Sequence, residues 1–189
     1  FTRKLLLREM GVDFECVPAN IDEKQTRRAD PQELVQALAD AKAEALLHHP
    51  DVIAATSTHN VVLLLTSDQV VVHGGKILEK PDDKQEARRF IRGYGDSPPS
   101  TVGAVAVTNL QSGKRVSELD TATIHFKAIP DNVIEGIVKQ DIVLSCAGGL
   151  MVEDPLVQPY LLRIDGGMDS VMGLGKRVVH RLLSEALEP

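Results

Sequence analysis

Asp68 stands where a charge is least expected. The seven residues before it, 61–67 (VVLLLTS), carry no charge, and Val70, Val71 and Val72 follow, so the stretch reads as a buried strand with a carboxylate inside it. A desolvated carboxylate costs several kcal/mol unless a cation or hydrogen-bond donors face it, so a metal, a lysine or a helix N-terminus is expected close by. The sequence offers Lys80. Gly74-Gly75 is a hairpin signal that folds residues 76–78 back along 70–73 and returns Glu79 and Lys80 towards the Asp68 end. An acidic group, a cation and a strand end then converge. The plainer alternative is that Asp68 caps a turn and Lys80 is solvated.

Three further places carry charges whose position matters. Arg3 and Lys4 open a short amphipathic segment, residues 3–10 (RKLLLREM), where cations oppose the helix dipole. They either hold something negative or form a solvated basic pair. Lys42 lies in a segment whose Leu34, Leu38, Ala41 and Ala45 make a core stripe, with Val35 and Leu46 at its edge. Glu33, Gln36, Asp40 and Glu44 fall on the other side, which leaves Lys42 as the charge turned towards the packed face. It snorkels out to water, or it aims a cation into a cleft. Glu153 is the acidic member of residues 144–155 (LSCAGGLMVEDP), whose paired glycines either admit a ligand to the backbone or turn a corner.

The elements that must position these groups read in order. After the helix of residues 3–10, closed by Gly11, residues 12–18 read as a strand, and 20–29 as a polar loop containing Asp22 and Glu23. Asp30 caps the next helix, with Pro31 at its first position and Glu33 three residues past the cap, and this helix runs to about His48. Residues 48–60 read as a loop with two surface histidines. A helix begins at Asp82 or Asp83 and ends near Tyr94. Residues 100–109 and 115–126 alternate as two strands around a turn, and 131–139 form a helix. The tail holds a strand at 160–164, a glycine-rich turn, a loop over 169–175 and a last helix. GLGK in that tail lacks the spacing of a phosphate loop.

With 189 residues the chain suits one domain of one or two lobes, able to bury roughly 70% of its unfolded surface. Its 43% hydrophobic and 25% charged residues are ordinary for a globular protein, and a net charge of −6 argues against general affinity for nucleic acid polymers. An anionic ligand must therefore be met by local cations. Cys16 and Cys146 suggest neither a zinc site nor a disulfide framework, and a reducing, cytoplasmic setting is expected. The apolar runs fall far short of the ~20 residues of a membrane span, and no signal-peptide pattern is visible. Because the chain opens at Phe1 without a methionine, residues upstream are expected.

The order of segments resembles the Maf family of nucleotide pyrophosphatases. The matching parts are RKLLLREMGVDF, the Asp22-Glu23 pair, LADAKAEAL, SDQVVV, Lys80-Pro81, a strand ending in HF, CAGGLMVE, and DSVMGL before the last helix. Together they span nearly the whole chain. The resemblance implies an α/β fold with an elongated mixed β-sheet flanked by helices and two lobes around a nucleotide cleft, similar to the inosine-triphosphate pyrophosphatases. It implies one domain over residues 1–189, with an N-terminal strand and a serine-containing loop lying upstream.

The same resemblance assigns roles. Asp68 matches the catalytic aspartate, a proton acceptor and metal-site carboxylate, and Glu23 matches the second metal-site acid. Arg3, Lys4, Lys42 and Lys80 match phosphate-side cations, and Thr2, Gln69 and Glu153 fall on the side of the base. The implied cofactor is a divalent cation, Mg2+ or Mn2+, and the implied partner a nucleoside triphosphate, with a homodimer possible and no membrane or nucleic acid polymer involved. Where many relatives have Asp-Thr this chain has Asp68-Gln69, and where they have glutamine it has Glu153, which resembles the subfamily acting on 7-methyl-GTP. The alternatives are the dTTP/UTP-acting subfamily, a nucleotide-binding regulator of cell division without turnover, and an inosine-triphosphate pyrophosphatase.

Overall fold

The computed structural model describes residues 2–189. Its first helix, α1 (Thr2–Glu9), stops before Gly11, whose φ of +70° in the left-handed region suits glycine. Residues 12–18, expected as a strand, form none. Apolar residues alternate there, half-buried and exposed by turns, but among the described residues no strand pairs with them. The next helix, α2 (Pro31–Leu47), begins as its local signals dictate, with the Asp30 carboxylate accepting from the N–H of Gln32 (2.8 Å) and of Glu33 (3.0 Å). Its buried stripe is Leu34, Val35, Leu38, Ala39, Ala43 and Leu46. Ala45 is exposed and Ala41 only half-buried, so the packed face is rotated from the expected one and Lys42 lies within it rather than at its edge.

Residues 48–60 are not a loop. Pro50 sits at the first turn of α3 (Pro50–Thr58), and His49 caps it by accepting the Asp51 N–H at Nδ1 (3.3 Å). The proline was legible as a break; the imidazole as a cap was not.

The sheet has five strands in the order β2, β1, β3, β4, β5. Asp68 does not interrupt β1 (Leu63–His73), which runs unbroken through it. Gly74 (φ +55°) and Gly75 (φ +73°) turn the chain into β2 (Lys76–Leu78), paired antiparallel as Val71 with Leu78, Val72 with Ile77 and His73 with Lys76. The Asp83 side chain caps α4 (Lys84–Gly93) by accepting from the Glu86 N–H. Residues Thr101 to Thr108 of β3 (Ser100–Asn109) are all buried, as suits the middle strand. After a tight turn, β4 (Arg115–Phe126) alternates half-buried with exposed residues before its last turns go inside. Helix α5 (Asp131–Lys139) follows, then short 3-10 turns through the paired glycines, and β5 (Leu161–Asp165), antiparallel to β4. The helix-flanked sheet is antiparallel at both edges, and the architecture is the α/β one that the resemblance implies. The loop expected over 169–175 starts within a one-turn helix, α6 (Met168–Val171), before α7 (Lys176–Leu187).

Two compact units divide the chain. The first comprises the chain up to Gln69 with Gly103–Asp120 and Met172–Pro189; the second comprises Val70–Val102 and Thr121–Val171. Each has its own core. In the first, Leu6 of α1 packs with Val105 and Val107 of β3 and with Val178, Val179 and Leu182 of α7. In the second, Ile91 and Tyr94 pack with Ile124 and Phe126 of β4 and Ile134, Ile137 and Val138 of α5.

Candidate active site

The first unit answers the question that Asp68 raises. Its carboxylate Oδ1 accepts from Lys42 Nζ at 2.6 Å, and the same ammonium reaches Glu23 Oε1 at 2.7 Å. The cation expected beside the strand carboxylate is therefore supplied from α2. Asp68 and Lys42 expose only 12% and 17% of their side chains, whereas Glu23 exposes 55%, so the pair is fixed on one side and open to solvent on the other. Local packing sets that asymmetry. The buried Thr66 hydroxyl donates to the carbonyl of Ala39 (2.9 Å), locking α2 against β1 one turn before Lys42. Glu23 instead rides on a short 3-10 turn, Glu23–Gln25, capped by Asp22 and without a buried residue.

Arg3 completes the cluster. Its Nε donates to the Gly173 carbonyl (3.0 Å) and its Nη1 to the Ser67 carbonyl (3.4 Å), next to Asp68. Burial lowers its pKa from the ordinary guanidinium value, while the charges of Asp68 and Glu23 pull it back up. Two carboxylates and two cations thus lie within electrostatic reach of one another, at close to zero net charge. Gly173 has φ of +104°, and a Cβ there would stand 3.1 Å from Arg3 Nε and 3.5 Å from Gln69 Oε1, so this glycine is where Arg3 and Gln69 meet. The loop that carries it is held at its other end by Asp120, whose Oδ2 accepts from the Gly175 N–H (3.0 Å). Sequence reasoning missed Asp120, because a lone acid in an alternating strand gives no signal. Thr2 is half-buried at the start of α1, and Lys4, two residues on, is exposed.

Lys80 and Glu153 belong to the second unit. Exposed Lys80 follows Glu79, whose carbonyl accepts from the Gly148 N–H (3.0 Å), so the strand end is pinned to the paired-glycine turn. Gly148 (φ +70°) is in turn held by Tyr94, whose hydroxyl donates to its carbonyl at 2.6 Å. Glu153 is half-buried between Val152 and Asp154, and the Asp154 carboxylate accepts from Gln140 Nε2 (2.8 Å) and the Leu156 N–H (2.7 Å). Burial, and then the charge of Glu153, pushes the Cys146 thiol up, against the pull of Lys80. Lys80 and Glu153 thus act on the Cys146 thiol with opposite signs.

Among the described residues no group of three or more His, Cys, Asp or Glu could hold a metal ion, so the nitrogen and sulfur sets of zinc are not present. The donor chemistry that is present is two carboxylates converging on one position. That suits Mg2+ or Mn2+, which take one or two carboxylates and fill the remaining places with water and phosphate oxygens.

The family model described as Maf-like protein matches residues 1–186. The chain belongs to this family. This Maf-like protein is 37% identical over 187 residues to the 7-methyl-GTP pyrophosphatase of Dictyostelium discoideum, covering 97% of this chain and 91% of that one. It is 30% identical over 183 residues to a nucleoside triphosphate pyrophosphatase of Synechococcus sp. (strain JA-2-3B'a(2-13)), covering 97% and 88%. A dTTP/UTP pyrophosphatase of Salinibacter ruber is 28% identical over 181 residues, covering 96% and 84%. The Maf-like segments quoted from the sequence fall on the elements just described: SDQVVV on β1, LADAKAEAL on α2, and DSVMGL across α6 and the Gly173 loop.

Proposed function

We propose that this Maf-like protein is a nucleoside triphosphate pyrophosphatase whose substrate is 7-methyl-GTP. The observation that carries the reading is Asp68 held on β1 beside Lys42, with Glu23 and Arg3 in reach, in a chain matched to the family over residues 1–186. Names of relatives on both sides of the family support hydrolysis of a nucleoside triphosphate. The reaction splits the bond between Pα and the αβ-bridging oxygen. A water attacks Pα, its proton passes to the Asp68 carboxylate, and the bridging oxygen leaves on pyrophosphate. Arg3 and Lys42 neutralise the triphosphate from the first unit, and Lys4 and Lys80 are the further phosphate-side cations that the family resemblance implies. Asp68 and Glu23 are the residues that would hold Mg2+ or Mn2+, and such an ion would supply further charge neutralisation at the phosphates when bound.

The base choice rests on Glu153. A carboxylate accepts from N1–H and the exocyclic amine of guanine but faces two repelling carbonyl oxygens on uracil or thymine, and N7-methylation adds a positive charge that it favours. Gln69 and Thr2 are the other base-side residues that the resemblance implies. A charge-assisted hydrogen bond is worth roughly 1.5–3 kcal/mol, so about ten- to a hundredfold discrimination against pyrimidines is expected. The test is a nucleotide panel with Mg2+ or Mn2+: pyrophosphate should appear fastest from 7-methyl-GTP, and Glu153→Gln should move activity towards dTTP and UTP. If dTTP and UTP are the best substrates of the unaltered protein, the base assignment fails. If inorganic phosphate is the product, the reaction itself is wrong, and if nucleotide binds without any product, the chain is a binding regulator.

A further inference from the structure

The Lys42 ammonium stands where two carboxylates converge, and that placement has a consequence for the metal. Asp68 Oδ1 at 2.6 Å and Glu23 Oε1 at 2.7 Å present their negative charge to one point, and a side-chain cation already fills it. We propose that Lys42 is a built-in placeholder for the divalent cation: it makes the nucleotide-free protein a weak metal binder, and arrival of the ion releases its ammonium to hold an anion. The inference rests on the preceding reading only in taking Asp68 and Glu23 as the metal-side acids.

Three observations argue for exchange and against a fixed structural ion pair. First, the backbone beneath Lys42 is immobile, with Ala39 and Ala43 fully buried and the Ala39 carbonyl held by Thr66, so the ammonium is always delivered to the same place. Its four-carbon stem remains able to swing the head away. Second, Glu23 is more than half exposed on a turn without a core residue, which opens the pair to an ion from solvent. Third, the local charges of Arg3, Lys42, Asp68 and Glu23 cancel. A divalent ion added with Lys42 in place meets a position already neutralised, while one that displaces Lys42 meets both carboxylates. The displaced ammonium, tethered nearby, then competes for the carboxylates until an anion engages it. Metal and polyphosphate binding are therefore coupled through one lysine.

Manganese binding followed by electron paramagnetic resonance, with no nucleotide present, tests this directly. Lys42→Met keeps the length of the stem and removes the charge; it should bind Mn2+ at least tenfold more tightly than the unaltered protein. Equal or weaker binding overturns the placeholder role. A second measurement needs no variant and separates displacement from a simple gain of negative charge. Acetylation of the unaltered protein, mapped by peptide mass, should modify Lys42 several-fold faster relative to exposed Lys76 when Mn2+ is present. An unchanged or slower rate shows that the ammonium stays put, and overturns the proposal even if the variant binds Mn2+ more tightly. Neither measurement involves turnover, so a failed nucleotide panel and a failed placeholder are told apart.

Discussion

Asp68→Asn separates the chemistry of its side chain from its shape. The amide fills the same space on β1 but neither takes a proton nor contributes charge, so turnover should fall by several powers of ten. Stability should fall by only about 1 kcal/mol, because Lys42 keeps Glu23 as a partner and its head can reach solvent. Turnover and a thermal melt followed by circular dichroism check the two halves separately. Turnover like that of the unaltered protein would place the chemistry elsewhere, and collapse of the melt together with activity would make Asp68 structural. At this scale the sequence was most informative about type: a carboxylate in an apolar strand demands a cation, and one is present. Which lysine answers was not legible. The hairpin pointed to Lys80; the helical pattern did turn Lys42 towards the packed face, but its pairing with Asp68 depends on the tertiary packing of α2 against Thr66.

Elements with a chemical start signal were legible and those defined by their neighbours were not. Asp30 with Pro31, Gly74-Gly75 and the alternation of residues 115–126 each carry their own instruction, and α2, the β1–β2 hairpin and β4 follow it. Residues 12–18 carry the same alternation but find no strand to pair with, and 50–58 fold as α3 through a histidine cap outside the usual signals. The paired glycines are the element on which Lys80 and Glu153 depend, and Tyr94 keeps them in place. Burial pushes the Tyr94 phenol well above its ordinary value, so it stays a donor, and its hydroxyl meets the Gly148 carbonyl at 2.6 Å. Tyr94→Phe keeps the ring stacked on Phe126 but leaves that carbonyl without its donor. The expected cost is about 1–3 kcal/mol, or a melting point lower by about 2–12 °C for a chain of this size. An unchanged melting point would mean that the bond adds nothing to the turn.

At the scale of the whole molecule, the two compact units are not two stretches of chain. The path passes from one to the other after Gln69, Val102, Asp120 and Val171, and the first three of these points lie inside β1, β3 and β4. A unit that unfolded alone would have to break off three strands in mid-run, giving up ladder hydrogen bonds on both sides of each break. Separate cores normally permit separate transitions, but here the covalent path opposes them. One cooperative transition is therefore expected despite two cores. Tyr94 and Tyr160 both lie in the second unit, so near-ultraviolet circular dichroism of tyrosine reports on that unit, while the helical signal in the far ultraviolet reports on both. In urea the two curves should superimpose, with the same midpoint and slope. A tyrosine transition that precedes or follows the helical one would show that the strands do not couple the units, and that either core can be lost while the other stands.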